Sequence, residues 1–321
     1  MTMTLDLFKD FIYATQDKAF VEERTDIPRT YTKYTRKCST ENADFRSVTG
    51  VKLGPAAYTP LGGQSHLDEY APGKTLVIKP KKLTIAVLTP HELETDMFNN
   101  GRINDDKVKF FYKMGSDMQD SHEWAWELLC TDFFKKGTSA TPSTFWQGPG
   151  RDGLPFFSAS HVTTKGVPVT WSNIMPPGPM NLLSLTDGVG QLEAIPDERG
   201  RQQGAIKRIG IYHGSYWAFV IPELLKSKMQ PNSVNVGTVN ALTNRDEDIE
   251  WVPILNRYMG PTDTTWGLIN LDQNDMCFWI KEKPTPRRDV IPRTGSKLTE
   301  YYSRVATFFE SAKCAVRNNG V

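Results

Sequence analysis

Residues Asp152–Val162, with the sequence DGLPFFSASHV, decide how the rest of the chain is interpreted. Ser158, Ser160 and His161 lie within four positions of one another, a composition that suggests a nucleophile and its base. Neighbouring side chains on a strand point to opposite faces, however, so adjacency in sequence does not pair them. We therefore interpret the stretch as a turn, Asp152-Gly153, followed by apolar anchors.

Other signatures of catalysis are equally weak. Gly148–Gly153, GPGRDG, matches GxGxxG, but Trp-Gln-Gly precedes it and Leu-Pro-Phe-Phe follows, where a dinucleotide site needs a buried strand and a helix. No GxSxG elbow occurs. Ser215 lies close to His213 in the sequence, but this closeness alone does not make a hydrogen-bonded pair either. The five histidines are scattered without an HxH or HExxH spacing. We expect no catalytic, cofactor-binding or metal-binding residues and no cofactor.

Cysteines and charge restrict the class of protein further. Cys38, Cys130, Cys277 and Cys314 contain no CxxC pair, so we expect buried thiols in a reducing compartment. Lys and Arg number 38 against 37 acidic residues, and the net charge of +1 argues against a protein that mainly grips phosphate backbones. No apolar run approaches the ~20 residues of a membrane span, and the N-terminus does not resemble a signal peptide.

The strongest secondary-structure pattern is a helix over residues 104–136. Phe111, Met118, Leu129 and Phe133 recur on one face, and Gly137 follows the last turn. At ~1.5 Å per residue this helix is roughly 45 Å long, which is the length of a strut rather than of an ordinary domain helix.

The flanking segments differ in character. Residues 1–47 carry a short amphipathic helix over 4–23 and then a polar stretch, so we interpret them as an arm that does not order itself alone. Residues 48–90 predict a two-stranded ribbon, with strands near Val51–Tyr58 and Thr75–Leu88 and an irregular tip.

Beyond the helix the chain alternates between helix and strand patterns, which predicts an α+β fold. Helices are expected at 181–200 and 222–230, and strands at 206–222, 249–258, 264–271, 275–283 and 299–317. The loop between the last two strands is basic.

The order of these features resembles the major capsid proteins of tailed bacteriophages, which have the Hong Kong 97 fold, and most closely the branch of Mu-like phages. In that branch an element D-G-x-x-[LF]-F-S-x-x-H follows the long helix. Asp152, Gly153, Phe157, Ser158 and His161 fit it, whereas Val162 stands where proline is usual. A second element, [VI]-P-x-x-[LM], is matched by Ile221–Leu225. The resemblance spans roughly residues 50–321, and it rests on the ordered set rather than on one motif.

The resemblance implies a division into named parts. These are an N-terminal arm (1–47), an extended β-hairpin loop (48–92), a peripheral domain (93–178) whose spine helix is 104–136, an axial domain (179–271), and C-terminal strands that return to the peripheral domain (272–321).

It also implies a function and partners. We expect self-assembly into hexamers and pentamers of an icosahedral phage head that encloses double-stranded DNA through non-specific contacts. Further expected partners are a separate scaffold and a portal protein, with a decoration protein as an additional candidate and no membrane. The expected location is the virion, after assembly in the host bacterial cytoplasm. The expected inter-subunit contacts are Phe8, Phe11, Ile12, Leu61, His66, Leu67, Tyr70, Arg287, Arg288 and Arg293.

Two alternatives stay open. One has the same fold, an encapsulin-like compartment shell that holds protein cargo. The other is of a different class, a serine hydrolase that uses Ser158 or Ser215. Some capsid proteins of this fold form covalent crosslinks from a lysine in the extended loop. Lys52 or Lys74 lies in the corresponding segment, but no matching acid–amide set accompanies them, and we expect no crosslink.

Overall fold

A computed structural model of the chain describes residues 13–20, 28–40, 42–50, 72–91, 105–142, 146, 148–163, 168–202, 204, 206–227 and 249–320. For residues 48–50, 72–74 and 105–108 the backbone alone is described. Residues 13–20 are helical, and the further α-helices of the described residues are α1 (Asp105–Lys135), α2 (Leu182–Ala194) and α3 (Val220–Lys226). Within the described part of the chain, no helix is both long and apolar enough to cross a membrane.

The strands form two four-stranded sheets and two short pairs. One sheet has the order β1-β10-β11-β4, the other has the order β12-β9-β7-β8, and β2-β3 and β5-β6 are two-stranded. The strands are β1 (Arg36–Cys38), β2 (Phe45–Gly50), β3 (Pro72–Ile78), β4 (Lys81–Thr89), β5 (His161–Val162), β6 (Thr170–Trp171), β7 (Arg208–His213), β8 (Glu250–Leu255), β9 (Trp266–Asn270), β10 (Met276–Val290), β11 (Lys297–Phe309) and β12 (Ala315–Asn318).

The chain divides into two compact units. The first comprises Met1–Arg29, Pro80–Leu128 and Trp279–Ala306, and the second comprises Thr30–Lys79, Leu129–Phe278 and Thr307–Val321.

In the first unit the helical segment 13–20 packs on α1 and on β11. Phe20, Met118 and Tyr301 form its buried core, and the ring of Phe20 stacks on that of Tyr301 with centroids 3.9 Å apart. Gly115 faces the backbone of Gln16 so closely that an added Cβ would collide with the Gln16 carbonyl oxygen. Glycine at this position of α1 is therefore required by close packing and not by a bend.

The second unit is built around the sheet β12-β9-β7-β8 with α2 against it. β7 and β9 are buried along almost their whole length, and Leu185, Val189 and Leu192 of α2 pack in the same core as Ile209 and Leu268. The Asn181 side chain accepts a hydrogen bond from Ser184 N–H, and the Ser184 hydroxyl accepts one from Asn181 N–H. This reciprocal cap begins α2 just after the Pro-Pro-Gly-Pro segment that the sequence marks as a boundary.

Strand β8 lies at an edge of this sheet and runs parallel to β7. Glu250 N–H donates to Lys207 O and Asn256 N–H donates to His213 O, so alternate N–H groups of β8 point at β7. Pro253 is one of the intervening residues of β8, whose backbone nitrogen atoms face away from β7.

Several predicted elements beyond the ribbon are confirmed within a few residues. α1 spans Asp105–Lys135 where the sequence predicts 104–136, and β8 and β9 lie inside the predicted strands. The predicted strand 206–222 is wrong beyond His213, because a 3-10 turn (Ser215–Trp217) and α3 follow β7, and the helix predicted over 181–200 ends at Ala194. The predicted single strand Thr75–Leu88 is wrong, because the chain breaks at Lys79-Pro80 into β3, which pairs with β2, and β4, which pairs with β11. The predicted strand at Val51–Tyr58 lies outside the described residues.

The C-terminal strands are longer and differently arranged than predicted. β10 runs through the arginine-containing stretch as far as Val290, so part of the predicted basic loop is strand. β12 pairs with β9 in the sheet that also holds β7 and β8. The prediction that 299–317 is one strand is wrong, because the chain leaves β11 at Phe309 and makes a 3-10 turn before β12.

The expectation that the polar stretch after residue 24 does not order itself is wrong for residues 28–40. Two buried tyrosines anchor it: Tyr31 packs edge-to-face on Phe278 and Tyr34 packs on Tyr212, with centroids 5.2 and 5.3 Å apart. Asn274 also donates a hydrogen bond to Tyr34 O at 2.6 Å. Composition alone underestimates the apolar area that such a segment buries, because two aromatic side chains contribute a large share of it.

Candidate assembly surfaces

The turn that opens Asp152–Val162 has the form that the sequence predicts. Gly153 has a φ of +81° with open space around it, so glycine serves the backbone conformation here. The Asp152 carboxylate accepts a hydrogen bond from Leu154 N–H at 3.1 Å, and Gly150 N–H donates to Leu154 O at 2.8 Å. The turn is therefore closed by local hydrogen bonds and delivers Phe156 and Phe157 inward.

Phe156 and Phe157 are fully buried against the C-terminal end of α1. The Phe156 ring lies 6.0 Å from that of Phe133, and the Phe157 ring lies 5.4 Å from that of Phe134. Phe134 in turn stacks on Tyr212 of β7 at 3.6 Å. Trp146 and Phe309 complete this aromatic cluster. The prediction that Phe156 and Phe157 are apolar anchors is confirmed.

A buried asparagine, which sequence patterns did not single out, holds this segment in place. Asn173 Nδ2 donates to Phe156 O at 2.7 Å and to Ala312 O at 3.1 Å, while Asn173 Oδ1 accepts from Ser158 N–H at 2.8 Å. The side chain has no exposed surface. Three backbone groups from two distant parts of the chain thus depend on one amide.

Ser158 and His161 do not form a nucleophile–base pair. His161 Nδ1 lies 2.6 Å from Asp152 Oδ2, the ring stacks on Trp171, and Nε2 is buried without a hydrogen-bond partner among the described residues. The Ser158 hydroxyl instead accepts from Ser160 N–H. Burial opposes the charged form of Asp152, but its hydrogen bonds to His161 and Leu154 N–H outweigh burial and lower the pKa of this carboxyl.

Ser215 and His213 are no better arranged for catalysis. Ser215 is exposed at the start of a 3-10 turn, whereas His213 is buried with Nδ1 2.9 Å from Gly214 O. Burial lowers the pKa of His213 below its usual value, so the ring is neutral near pH 7 and donates from Nδ1 to that carbonyl. Within the described residues, neither serine offers the geometry of a catalytic dyad.

The β10–β11 hairpin contacts the N-terminal helical segment through a charged and aromatic cluster. Arg288 forms an ion pair with Asp17, which also accepts a hydrogen bond from the Tyr301 hydroxyl at 2.6 Å. The Tyr13 ring lies under both Arg288 and Lys297, with the cationic groups 4.6 and 4.9 Å from its centroid. Arg288 is therefore engaged within its own chain.

The remaining predicted contact residues divide into two groups. Arg287 and Arg293 are exposed near the end of this hairpin, beside the exposed apolar side chains of Val290 and Ile291. The others lie outside the described residues: Phe8, Phe11, Ile12, Leu61, His66, Leu67 and Tyr70, together with Lys52 and the side chain of Lys74. Their role as inter-subunit contacts stays a prediction.

The base of the predicted extended loop is described. β2 and β3 pair antiparallel from Phe45↔Ile78 to Gly50↔Pro72, with an irregularity between Val48 and Gly50. β2 and β3 thus form the described base of the segment for which the sequence predicts a two-stranded loop, and the residues between Gly50 and Pro72 lie outside the described part of the chain.

Comparison with solved structures identifies the fold. A chain from the capsid of the native GTA particle superposes with a TM-score of 0.53 at 10% identity, and each chain is covered to 93%. A chain from the procapsid of bacteriophage JBD30 gives 0.51 at 12% identity, covering 97% of this chain and 75% of that one. A chain from the mature capsid of bacteriophage PhiM1 gives 0.52 at 9% identity, covering 94% and 90%.

The chain has the Hong Kong 97-type capsid fold. No protein-family model and no curated protein sequence matches it, so the likeness lies in the fold and not in detectable sequence similarity. The predicted fold class, α+β of the Hong Kong 97 type, is thereby confirmed.

One side-chain cluster in this capsid fold has the composition of a metal or thiol site. The sulfur atoms of Cys38 and Cys277 and a carboxylate oxygen of Glu310 lie within 4.8 Å of one another. No sequence pattern indicates this cluster, because the three residues lie on β1, on β10 and just after β11, without any ligand spacing. All four cysteines are free thiols, as expected, but Cys38 is only half-buried.

We predict that Asn173→Ala destabilises the fold by about 3 kcal/mol or more, because three buried backbone groups lose their partner. Asn173→Asp keeps the acceptor for Ser158 N–H but loses both donors, so it should destabilise nearly as much. The measurement is the midpoint of urea unfolding. Asn319→Ala, at an exposed position, serves as the control and should leave the midpoint unchanged; equal midpoints for all variants would contradict the role of Asn173.

We predict that Arg288→Ala lowers stability by about 0.5–1 kcal/mol, because a partly exposed ion pair and a cation–π contact are lost. The neighbouring substitution Arg287→Ala should leave thermal stability unchanged, since Arg287 is exposed. Thermal unfolding of the two purified variants checks this difference. A larger loss in Arg287→Ala than in Arg288→Ala would show that the contact with Asp17 is not formed in solution.

We predict that Asp275→Asn stabilises the chain increasingly as the pH rises. Burial, and then the nearby Glu310 carboxylate, raise the pKa of Asp275 to about 6, against the opposing charges of Arg36, Arg151 and Lys313. A raised acid pKa means that the unfolded chain releases this proton first. Folding is therefore penalised progressively between the ordinary aspartate value, about 3.9, and about 6, and stays penalised above that.

The test is the difference in melting temperature between Asp275→Asn and the unsubstituted chain across this range. This difference in melting temperature should grow in favour of the variant from about pH 4 to about pH 7. Asp187→Asn, on the exposed surface of α2, should show no such trend. A difference that shrinks with rising pH would mean that the carboxylate is stabilised by its cationic neighbours.

Proposed function

We propose that this chain is a major capsid protein, the structural subunit of an icosahedral phage head. The observation that carries the proposal is the capsid fold, which extends over more than nine-tenths of this chain and of its capsid counterparts in the GTA particle and in PhiM1. A fold that is matched from end to end leaves little of the described chain for a separate catalytic domain.

Assembly into hexamers and pentamers follows from this proposal. A single chain forms rings about fivefold and sixfold axes when its contacts are head-to-tail and close on themselves. The near-neutral net charge of +1 supports such assembly, since many like copies then repel one another little. The head encloses double-stranded DNA by non-specific contact, and assembly takes place in the host bacterial cytoplasm with a separate scaffold and a portal protein, with a decoration protein as a candidate partner.

Two finer parts of the proposal, the phage branch and the domain boundaries, rest on the sequence. Membership of the Mu-like branch rests on the two short elements at 152–161 and 221–225. The domain boundaries 1–47, 48–92, 93–178, 179–271 and 272–321 rest on the order of elements. Pairing of β12 with β9 favours placing the last strand with the axial strands instead of the peripheral ones.

Two alternatives are weighed against it. An encapsulin-like compartment has the same fold and differs in cargo, so the contents of the particle distinguish it. A serine hydrolase using Ser158 or Ser215 is disfavoured, because both serines lack a hydrogen-bonded histidine within the described residues and the nearest histidines are bound elsewhere. A non-enzymatic role is part of the proposal.

Electron microscopy of the expressed chain tests the proposal. We expect closed particles of icosahedral outline, or particles that appear when a scaffold from a related phage is supplied. Protein cargo without nucleic acid in particles from infected cells would favour the compartment. Monomers under every condition, together with ester hydrolysis that Ser158→Ala or Ser215→Ala abolishes, would overturn the capsid proposal.

We predict that deletion of residues 60–71 leaves a folded subunit that does not close into shells. β2 and β3 remain intact in this variant because β3 begins at Pro72. Circular dichroism and thermal unfolding check the fold, and electron microscopy checks assembly. Closed shells of normal size from this variant would show that the loop tip is not an assembly contact.

A further inference from the structure

Cys38 and Cys277 bring two thiols together from distant parts of the sequence. Cys38 ends β1 and Cys277 lies near the start of β10, and these strands are neighbours in one sheet. Their sulfur atoms lie within 4.8 Å of one another. Adjacent strands of a sheet lie ~4.8 Å apart and a disulfide spans Cα atoms ~4.4–6.8 Å apart, so a disulfide can join two neighbouring strands.

The surroundings of the pair make its two members chemically different. Cys38 is half-buried, whereas Cys277 has no exposed surface. The hydrogen bond with Cys277 lowers the pKa of the Cys38 thiol and the positive charge of Arg36 lowers it further, while burial opposes both. The same hydrogen bond, and then burial, raise the pKa of Cys277. The accessible thiol is thus the one that ionises first.

Arg36 also argues against a metal ion in this cluster. Its Nη2 lies 2.6 Å from Glu310 Oε1 and 3.5 Å from the Cys277 sulfur. The guanidinium therefore already contacts two of the three potential ligands, and a divalent cation placed among them would be repelled by it. The cluster is better suited to stabilise a thiolate than to bind a metal.

We propose that Cys38 and Cys277 are a redox-active thiol pair that closes to an intramolecular disulfide by exchange with a small disulfide such as oxidised glutathione. The pair is a modification site, and its chemistry does not depend on whether the chain is a shell protein.

The exchange takes two steps. The Cys38 thiolate attacks one sulfur of oxidised glutathione, a Cys38–glutathione bond forms, and one glutathione leaves as its thiolate. Cys277 then gives its proton to the glutathione thiolate released in the first step and attacks the Cys38 sulfur. The second glutathione leaves as a thiolate, and both leaving thiolates take up the protons released by the two cysteines. The two cysteines are oxidised and one molecule of oxidised glutathione is reduced to two of glutathione.

The other two cysteines provide an internal comparison. Cys130 and Cys314 are buried, and burial raises the pKa of Cys314 to about 12. Both should therefore remain reduced while Cys38 reacts.

The disulfide would fasten β1 to β10 covalently. β1 is only three residues long, and it follows the segment anchored by Tyr31 and Tyr34. Transfer from a reducing to an oxidising environment would therefore fix this part of the chain after folding, which raises the melting temperature of the oxidised form.

The test uses the purified full chain exposed to oxidised glutathione at neutral pH, quenched with N-ethylmaleimide and mapped as peptides without reduction. We expect a linked pair of peptides containing Cys38 and Cys277, a mass lower by two hydrogens, and a higher melting temperature that reductant reverses. Cys277→Ala should stop at the glutathione adduct on Cys38, and Cys38→Ser should not react. Arg36→Gln should slow the first step about fivefold or more.

Three outcomes would overturn the proposal. They are an unsubstituted chain that stops at the mixed disulfide, disulfides that form mainly between chains, and Cys130 or Cys314 reacting as fast as Cys38. Each is read on the isolated chain, so a failure here leaves the capsid proposal untouched. Absence of shells would equally leave the thiol chemistry unaffected.

Discussion

Packing between the end of α1 and the segment Phe156-Phe157 is the constraint on which the second unit depends. Phe157 N–H donates to Gly137 O at 2.8 Å, and a Cβ on Gly137 would collide with the Phe157 ring. The chain must therefore turn back immediately after the helix and lay two phenylalanines against it. Through Phe134 and Tyr212 the same cluster fixes β7, the strand that β8 and β9 flank.

The aromatic contact also explains why the polar groups around it are so fully bonded. Two backbone groups beside the rings, Phe156 O and Ser158 N–H, lie where water does not reach and need protein partners. Asn173 supplies both, and its own backbone bonds Ser158 O and Arg317 N–H. Burial of the Phe156 and Phe157 rings therefore depends on Asn173, which supplies the hydrogen bonds that the buried backbone beside the rings needs.

Much of the fold was predictable from local pattern. Helix α1 has a clear periodic face and α2 has capping residues, and short apolar runs bounded by turns predicted β8 and β9. Gly137 was correctly expected to end the helix. Its φ is not among the positive values in the described residues, so a left-handed cap is not the reason for glycine. An added Cβ would instead collide with Phe133 O and with the Phe157 ring. The break at Lys79-Pro80 was missed although the alternation changes phase there, from Leu76 and Ile78 at even positions to Leu83, Ile85 and Val87 at odd positions. The strands on either side of the break join different sheets.

The candidate sites were less predictable because they depend on long-range contacts. Asn173 carries no spacing pattern, and Cys38 and Cys277 meet only because β1 and β10 become neighbours. Trp124 of α1 is 51% exposed, whereas Trp126, two residues further along the helix, is buried. Arg288, which is predicted to lie at a subunit contact, is paired with Asp17 of its own chain, and no local sequence pattern indicates this contact. Sequence patterns thus predicted elements well and tertiary partners poorly.

The proline in β8 has a consequence for how copies of this chain meet. An edge strand normally offers a row of N–H and C=O groups that a foreign strand can join, which is the usual route from a sheet to a fibre. Pro253 removes a donor from the middle of that row, on the side away from β7, so an incoming strand finds its ladder interrupted at the centre. Growth of the sheet by strand addition at β8 is thereby discouraged whenever two copies of the chain collide.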